Sequence, residues 1–204
     1  PNVTASKVFE DYIKAIGGKE AVEKVNSVYM IAQANFQGQK MDLESKVTSS
    51  GKSSTEVGMG GNVMSRQIFN GATGFVAAQG QKIPYTEEQI IAAKAEAHPF
   101  PEMIADNAAL EGVEDVDGKE AYAIKMDENT TNYYSKKTGL KVKQVKTVQQ
   151  GPQTVTVPTT FSDYREVEGV KFPFTINQSM GPMVISFEVS EIKVNEGVVD
   201  TDFE

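Results

Sequence analysis

The chain has 204 residues, 39% of them apolar and 24% charged, enough for a sizeable core in one large domain or two small ones. A formal net charge of −8 opposes a phosphate backbone, and no basic stripe with interleaved aromatics offsets that field, which argues against nucleic acid as a partner. Cysteine is absent, so the chain has no disulfide, thiol nucleophile, Cys-ligated zinc or lipid-modified cysteine; the compartment stays open on this ground.

The opening Pro1-Asn2-Val3-Thr4 carries neither an initiator methionine nor a signal-like apolar segment, and reads as the start of a processed product or of a piece of something longer. The longest apolar run, residues 28–32, is too short for a transmembrane helix. Behind Thr4, an N-cap residue, Val8, Phe9, Tyr12, Ile13 and Ile16 recur at helical spacing, and Gly17-Gly18 supplies a left-handed stop. The spacing predicts a helix over 4–16, with a short second helix over 19–25. From Ser27 the apolar period becomes two: Val28, Met30, Ala32, Ala34 and Phe36, then Met41, Leu43, Ser45 and Val47 beyond a Gln37-Gly38-Gln39 turn, answered by Lys40, Asp42, Glu44 and Lys46. That alternation is the mark of an antiparallel sheet with one wet face.

Further strands are expected over 54–59, 63–69 and 75–79, each bounded by glycine or asparagine. Thr86 and Gln89 have capping-box spacing and Tyr85 is placed to staple Ile90, which predicts a helix over 86–97. Residues 98–103, His-Pro-Phe-Pro-Glu-Met, form a proline-stiffened loop. Strands resume over 110–116, 120–126, 132–135, 140–148, 154–164, 171–179 and 183–194. No low-complexity linker or internal repeat divides the chain, so a single domain over 1–204 is the simpler reading. A run of strands this long curls strongly as one sheet, and the helices over 4–16 and 86–97 need an apolar surface to cover. The fold class is therefore mostly β with α (α+β): a strongly curved antiparallel half-barrel sheet with helices across its concave face, a closed barrel or two-sheet sandwich being the competing architectures.

The single histidine, His98, rules out HExxH and HxxEH zinc sites and any triad needing a second imidazole, and sits where a loop residue is expected. Glu111, Glu114, Asp115 and Asp117 match no calcium loop, and Gly58-Met59-Gly60-Gly61 lacks the Lys-Ser/Thr of a phosphate loop and reads as a hairpin turn. No catalytic residues, metal ligands or cofactor follow. Methionines 30, 41, 64, 126, 180 and 183 fall in strands with Phe36, Phe69, Phe174 and Phe187. From these, Met30, Phe36, Met41, Leu43, Met64, Phe69, Phe174 and Phe187 form a candidate lining for an apolar ligand, the alternative being a filled core. Lys136, Lys137, Lys141, Lys143 and Lys146 crowd one hairpin, where they either meet an anionic lipid surface or partner or, as lysines commonly do, shield an edge strand.

Residues 162–179, Ser-Asp-Tyr-Arg-Glu-Val-Glu-Gly-Val-Lys-Phe-Pro-Phe-Thr-Ile-Asn-Gln-Ser, read as two strands about a Glu168-Gly169 turn, with Pro173 requiring an edge or bulge. Together with residues 11–25, 133–142 and 192–203, they resemble a family of bacterial cell-envelope domains similar to the outer-membrane lipoprotein-sorting carriers (LolA-like). More narrowly, the chain resembles the C-terminal domain of some insulinase-like zinc peptidases of Gram-negative bacteria, whose HxxEH motif it lacks. The resemblance implies a half-barrel whose hollow receives acyl chains, a periplasmic or cell-envelope location, and as partners a lipid or hydrophobic small molecule, or a peptidase domain to which this chain is a non-catalytic accessory. It carries over no ligand-contacting residue.

Overall fold

The computed structural model describes residues 3–150 and 152–204. Helix α1 spans Ala5–Ile16, α2 Lys19–Glu23 and α3 Glu87–Glu96. Thirteen strands follow in chain order: β1 Ser27–Phe36, β2 Gln39–Thr48, β3 Ser53–Met59, β4 Asn62–Phe69, β5 Gly74–Ala78, β6 Gln81–Pro84, β7 Ala109–Val116, β8 Lys119–Lys125, β9 Thr130–Ser135, β10 Lys141–Gln150, β11 Gln153–Val167, β12 Val170–Met180 and β13 Met183–Val194. They form one sheet, ordered β6-β5-β4-β3-β2-β1-β13-β12-β11-β10-β9-β8-β7, antiparallel and not closed into a barrel.

The hairpins have a local cause. Gln37-Gly38, Gln79-Gly80, Asp117-Gly118 and Glu168-Gly169 each put two successive residues at positive φ, the backbone that matches the right-handed twist of the flanking strands. The chain divides into two compact units, Pro1–Val22 with Ala105–Phe187 and Glu23–Ile104 with Glu188–Glu204.

In the first unit, the Thr4 hydroxyl accepts from Lys7 N–H at 3.2 Å and starts α1, whose stripe of Val8, Phe9, Tyr12, Ile13 and Ile16 is buried. Phe9 and Tyr12 meet Tyr134 of β9 edge-on, with ring centroids 5.7 and 5.4 Å apart. Each buried apolar side chain contributes about 1.5–3 kcal/mol, so this stripe fixes the helix on its sheet. On the other face of these strands Val116, Ala121, Ala123 and Tyr133 form a smaller cluster.

In the second unit, β1 to β5 have two unlike faces. One carries Lys193, Tyr29, Lys46, Ser54, Ile68 and Phe75 in register, and the other carries Ile192, Met30, Ser45, Thr55, Gln67 and Val76. A C-terminal 3₁₀ turn, Asp200–Phe203, ties itself to the first face: Lys46 Nζ donates to Asp202 at 2.6 Å and Lys52 Nζ to Asp200 at 2.9 Å. Burial by itself would raise the Asp202 carboxyl, but hydrogen bonds from Lys46 and from Val199 N–H outweigh it and hold Asp202 below its ordinary 3.8. The unfolded chain binds that proton more readily, so the stabilisation is complete above about pH 4 and is lost as pH falls. An acid titration followed by circular dichroism is expected to show Asp202→Asn losing less stability than the natural chain between about pH 5 and pH 2; equal losses would remove the linkage.

Four expectations change. Helix α3 has its capping box, with Thr86 Oγ1 and Gln89 Oε1 each accepting from the other's backbone N–H, but none of its residues is buried, so it is not the amphipathic cover the sequence suggests. Ile90 and Ile91 stand side by side in the helix, and the alanines that complete its apolar positions bury too little to make a stripe. Tyr85, placed by sequence to staple Ile90, stacks on Phe69 at 6.5 Å between centroids. Strand β10 lies between β9 and β11, so its lysines guard no sheet edge. Likewise Pro173 is in an internal strand, opposite Tyr164, next to the point where the register passes over Asp163 at φ 54°.

Candidate functional site

In the second unit the apolar face follows from register. Ala34, Met41 and Met59 lie in one cross-strand row, Val189, Ala32, Leu43, Val57 and Ser65 in the next, and Ile192 and Met30 in the third. Ala32 and Ala34 are buried, whereas Met30, Phe36, Met41, Leu43, Val57 and Met59 are half-buried. A continuous band of large side chains thus keeps part of its surface uncovered within its own unit. At the far end Phe69, 1% exposed, is closed off by Tyr85, whose ring lies where a Cβ on Gly74 would stand, only 2.4 Å away.

Five of the eight residues singled out by sequence, Met30, Phe36, Met41, Leu43 and Phe69, therefore share one face. Met64 does not join them. The β3–β4 register shifts between Val57 and Gly58, and this bulge puts Met64 with Arg66 and Lys82 at an open concavity of about 440 Å³, where Met64 is 49% exposed. In the first unit Phe174 is half-buried with the Arg165 guanidinium 4.7 Å from its ring centre, and Phe187 is buried with Ile185 on the same side of β13. Met180 and Met183 are exposed beside the β12–β13 turn. The sequence reading passed over Val57, Met59 and Ile192, although their alternation with Glu56, Gly58 and Lys193 carries the same period-two signal.

The first unit's α1-bearing face is chemically mixed. Asn132, 2% exposed, donates from Nδ2 to the Tyr134 hydroxyl at 3.2 Å and accepts from Gln144 Nε2 at 3.0 Å. A cavity of about 220 Å³ lies beside α1, lined by Val8, Asp11, Tyr122, Tyr134 and the 135–139 loop. His98 occupies a loop, half-buried; burial lowers its pKa, and its Nδ1 accepts from Phe100 N–H at 2.9 Å. Among the described residues no helix is long and apolar enough to cross a membrane.

The fold has counterparts among solved structures. A LolA superfamily protein of Nitrosomonas europaea aligns with a TM-score of 0.63 at 12% identity, over 100% of this chain and 98% of its own. The chain has a LolA-like fold. A DUF1329 family protein of Desulfovibrio piger aligns with a TM-score of 0.58 at 13% identity, over 98% and 97% of the two chains. No protein-family model matches this chain, and no curated protein does. The narrower resemblance to a peptidase C-terminal domain gains no support from these two structures.

Proposed function

We propose that the protein is a non-catalytic cell-envelope domain that binds a lipid acyl chain or other hydrophobic ligand in the hollow of a strongly curved half-barrel sheet. The observation that carries this reading is the half-covered band of Met30, Phe36, Met41, Leu43, Val57 and Met59. Unbranched methionines adapt to ligands of irregular shape, and burying such a band against an alkyl chain gains about 25 cal/mol per Å². The LolA-like fold supports the same class of ligand and a periplasmic location. Binding of this kind needs no group that makes or breaks bonds.

Met30→Trp separates a ligand surface from a packed core. On a ligand surface the added ring occupies ligand space, so uptake of radiolabelled palmitic acid falls several-fold while thermal stability stays nearly unchanged. Destabilisation by about 1–3 kcal/mol with undiminished uptake would instead be the signature of overpacking in a filled core.

A further inference from the structure

Charge is sorted between the two faces of β1 to β6 in the second unit. The charged side chains of these strands are Lys40, Asp42, Glu44 and Lys46 of β2, Glu56 of β3, Arg66 of β4 and Lys82 of β6. The registers put all of them on the face of Tyr29 and Lys46. There they answer one another: Arg66 meets Glu56 at 2.6 Å, Lys46 meets Glu44 at 3.3 Å and Lys40 meets Asp42 at 3.4 Å. The face that bears the methionine band receives no charged side chain from any of the six strands. Contact with water alone does not require this, since exposed positions accept lysine or glutamate as readily as serine.

The polar positions of the uncharged face hold hydroxyls and amides instead. Ser45 stands opposite Thr55 and Thr55 opposite Gln67, in the row that begins with Ile192 and Met30, and Ser65 stands opposite Val57 in the next row. Ser45, Thr55 and Ser65 are half-buried and Gln67 is exposed. Among the described residues, none of these four side chains has a hydrogen-bond partner in the protein. With strands about 4.8 Å apart, the row from Ser45 to Gln67 spans roughly 10 Å beside the band. Each of its hydroxyls, and the amide, both donates and accepts.

We propose that this face selects an amphiphile whose polar end is uncharged and hydroxylated, a monoacylglycerol being the simplest. The acyl chain lies on Met41, Leu43, Val57 and Met59, and the head exchanges hydrogen bonds with Ser45, Thr55, Ser65 and Gln67. The inference rests on the hydrophobic-ligand reading and adds the chemistry of the head. A phosphate or carboxylate brought to this face loses water and meets no cation, a costly state for a charge. A glycerol hydroxyl finds both a donor and an acceptor. Selection comes from what the face omits as well as from what it offers.

Calorimetric titration of the full chain with monooleoylglycerol and with oleoyl lysophosphatidic acid, which differ by one phosphate, tests it. The expected result is tighter binding of the neutral lipid by about tenfold or more. Ser45→Ala/Thr55→Val is expected to weaken the neutral lipid by about fivefold or more. Gln67→Lys brings a cation to the row and is expected to narrow the preference. Because Gln67 is exposed, this variant carries the test by itself should the double variant fail to fold. Equal binding of the two lipids, or tighter binding of the phosphate, overturns the head selectivity and leaves the hydrophobic-ligand reading standing. A shift in either variant supports the placement; a neutral preference that both leave unmoved overturns it. Binding of neither lipid overturns both readings.

Discussion

Gly17→Ala is expected to destabilise the protein by about 4 kcal/mol, the sum of roughly 1–3 for backbone strain and roughly 1–3 for overlap. Gly17 closes α1 at φ 146°, with its N–H bonded to Ile13 O, and Gly18 N–H bonds the same carbonyl at 2.8 Å. A Cβ at Gly17 would stand 2.3 Å from the Gly169 carbonyl oxygen, a backbone atom at the β11–β12 turn that cannot step aside. Gly18, at φ 91° with nothing within 4 Å of its Cβ position, is the internal control. Its replacement by alanine carries the strain without the overlap. In thermal melts the Gly17 variant should fall on the order of 10 °C and the Gly18 variant much less. Equal shifts would show that the approach of Gly17 to Gly169 contributes nothing.

Tyr134→Ala is expected to cost about 3–5 kcal/mol, the range for deleting a buried aromatic side chain. Tyr134 is 1% exposed, takes the edges of both Phe9 and Tyr12, and its hydroxyl accepts from Asn132. Tyr134→Phe keeps the ring and strands a buried amide N–H, for a smaller loss of about 1–3 kcal/mol. Because the ring is what α1 rests on, limited proteolysis should cleave near α1 faster in the alanine variant than in the phenylalanine variant. Matching cleavage rates in the two would mean that α1 is held elsewhere.

What the sequence made legible was local. The Thr4 cap, the stripe from Val8 to Ile16 and the glycine stop lie within 14 residues of one another, so α1 could be drawn to within a residue. The X-Gly turns and period-two alternation likewise placed Met30, Met41 and Leu43 on one face of adjacent strands. Readings that depended on distant pairing failed. The bulge that turns Met64 away is a property of how β3 meets β4, and neither strand alone announces it. The lysines of β10 looked like edge protection because the partners on both flanks are fixed only when the sheet assembles. Strand β6, four residues ending at Pro84 with Ile83 its sole large apolar side chain, gives too short a pattern to register.

Native mass spectrometry of the gently purified protein, before and after extraction with organic solvent, tests the hydrophobic-ligand account most directly. The account predicts a stoichiometric adduct of lipid mass that disappears on extraction and returns when oleoyl lipids are added back. A protein that shows only its bare mass throughout, including after incubation with those lipids, would contradict it.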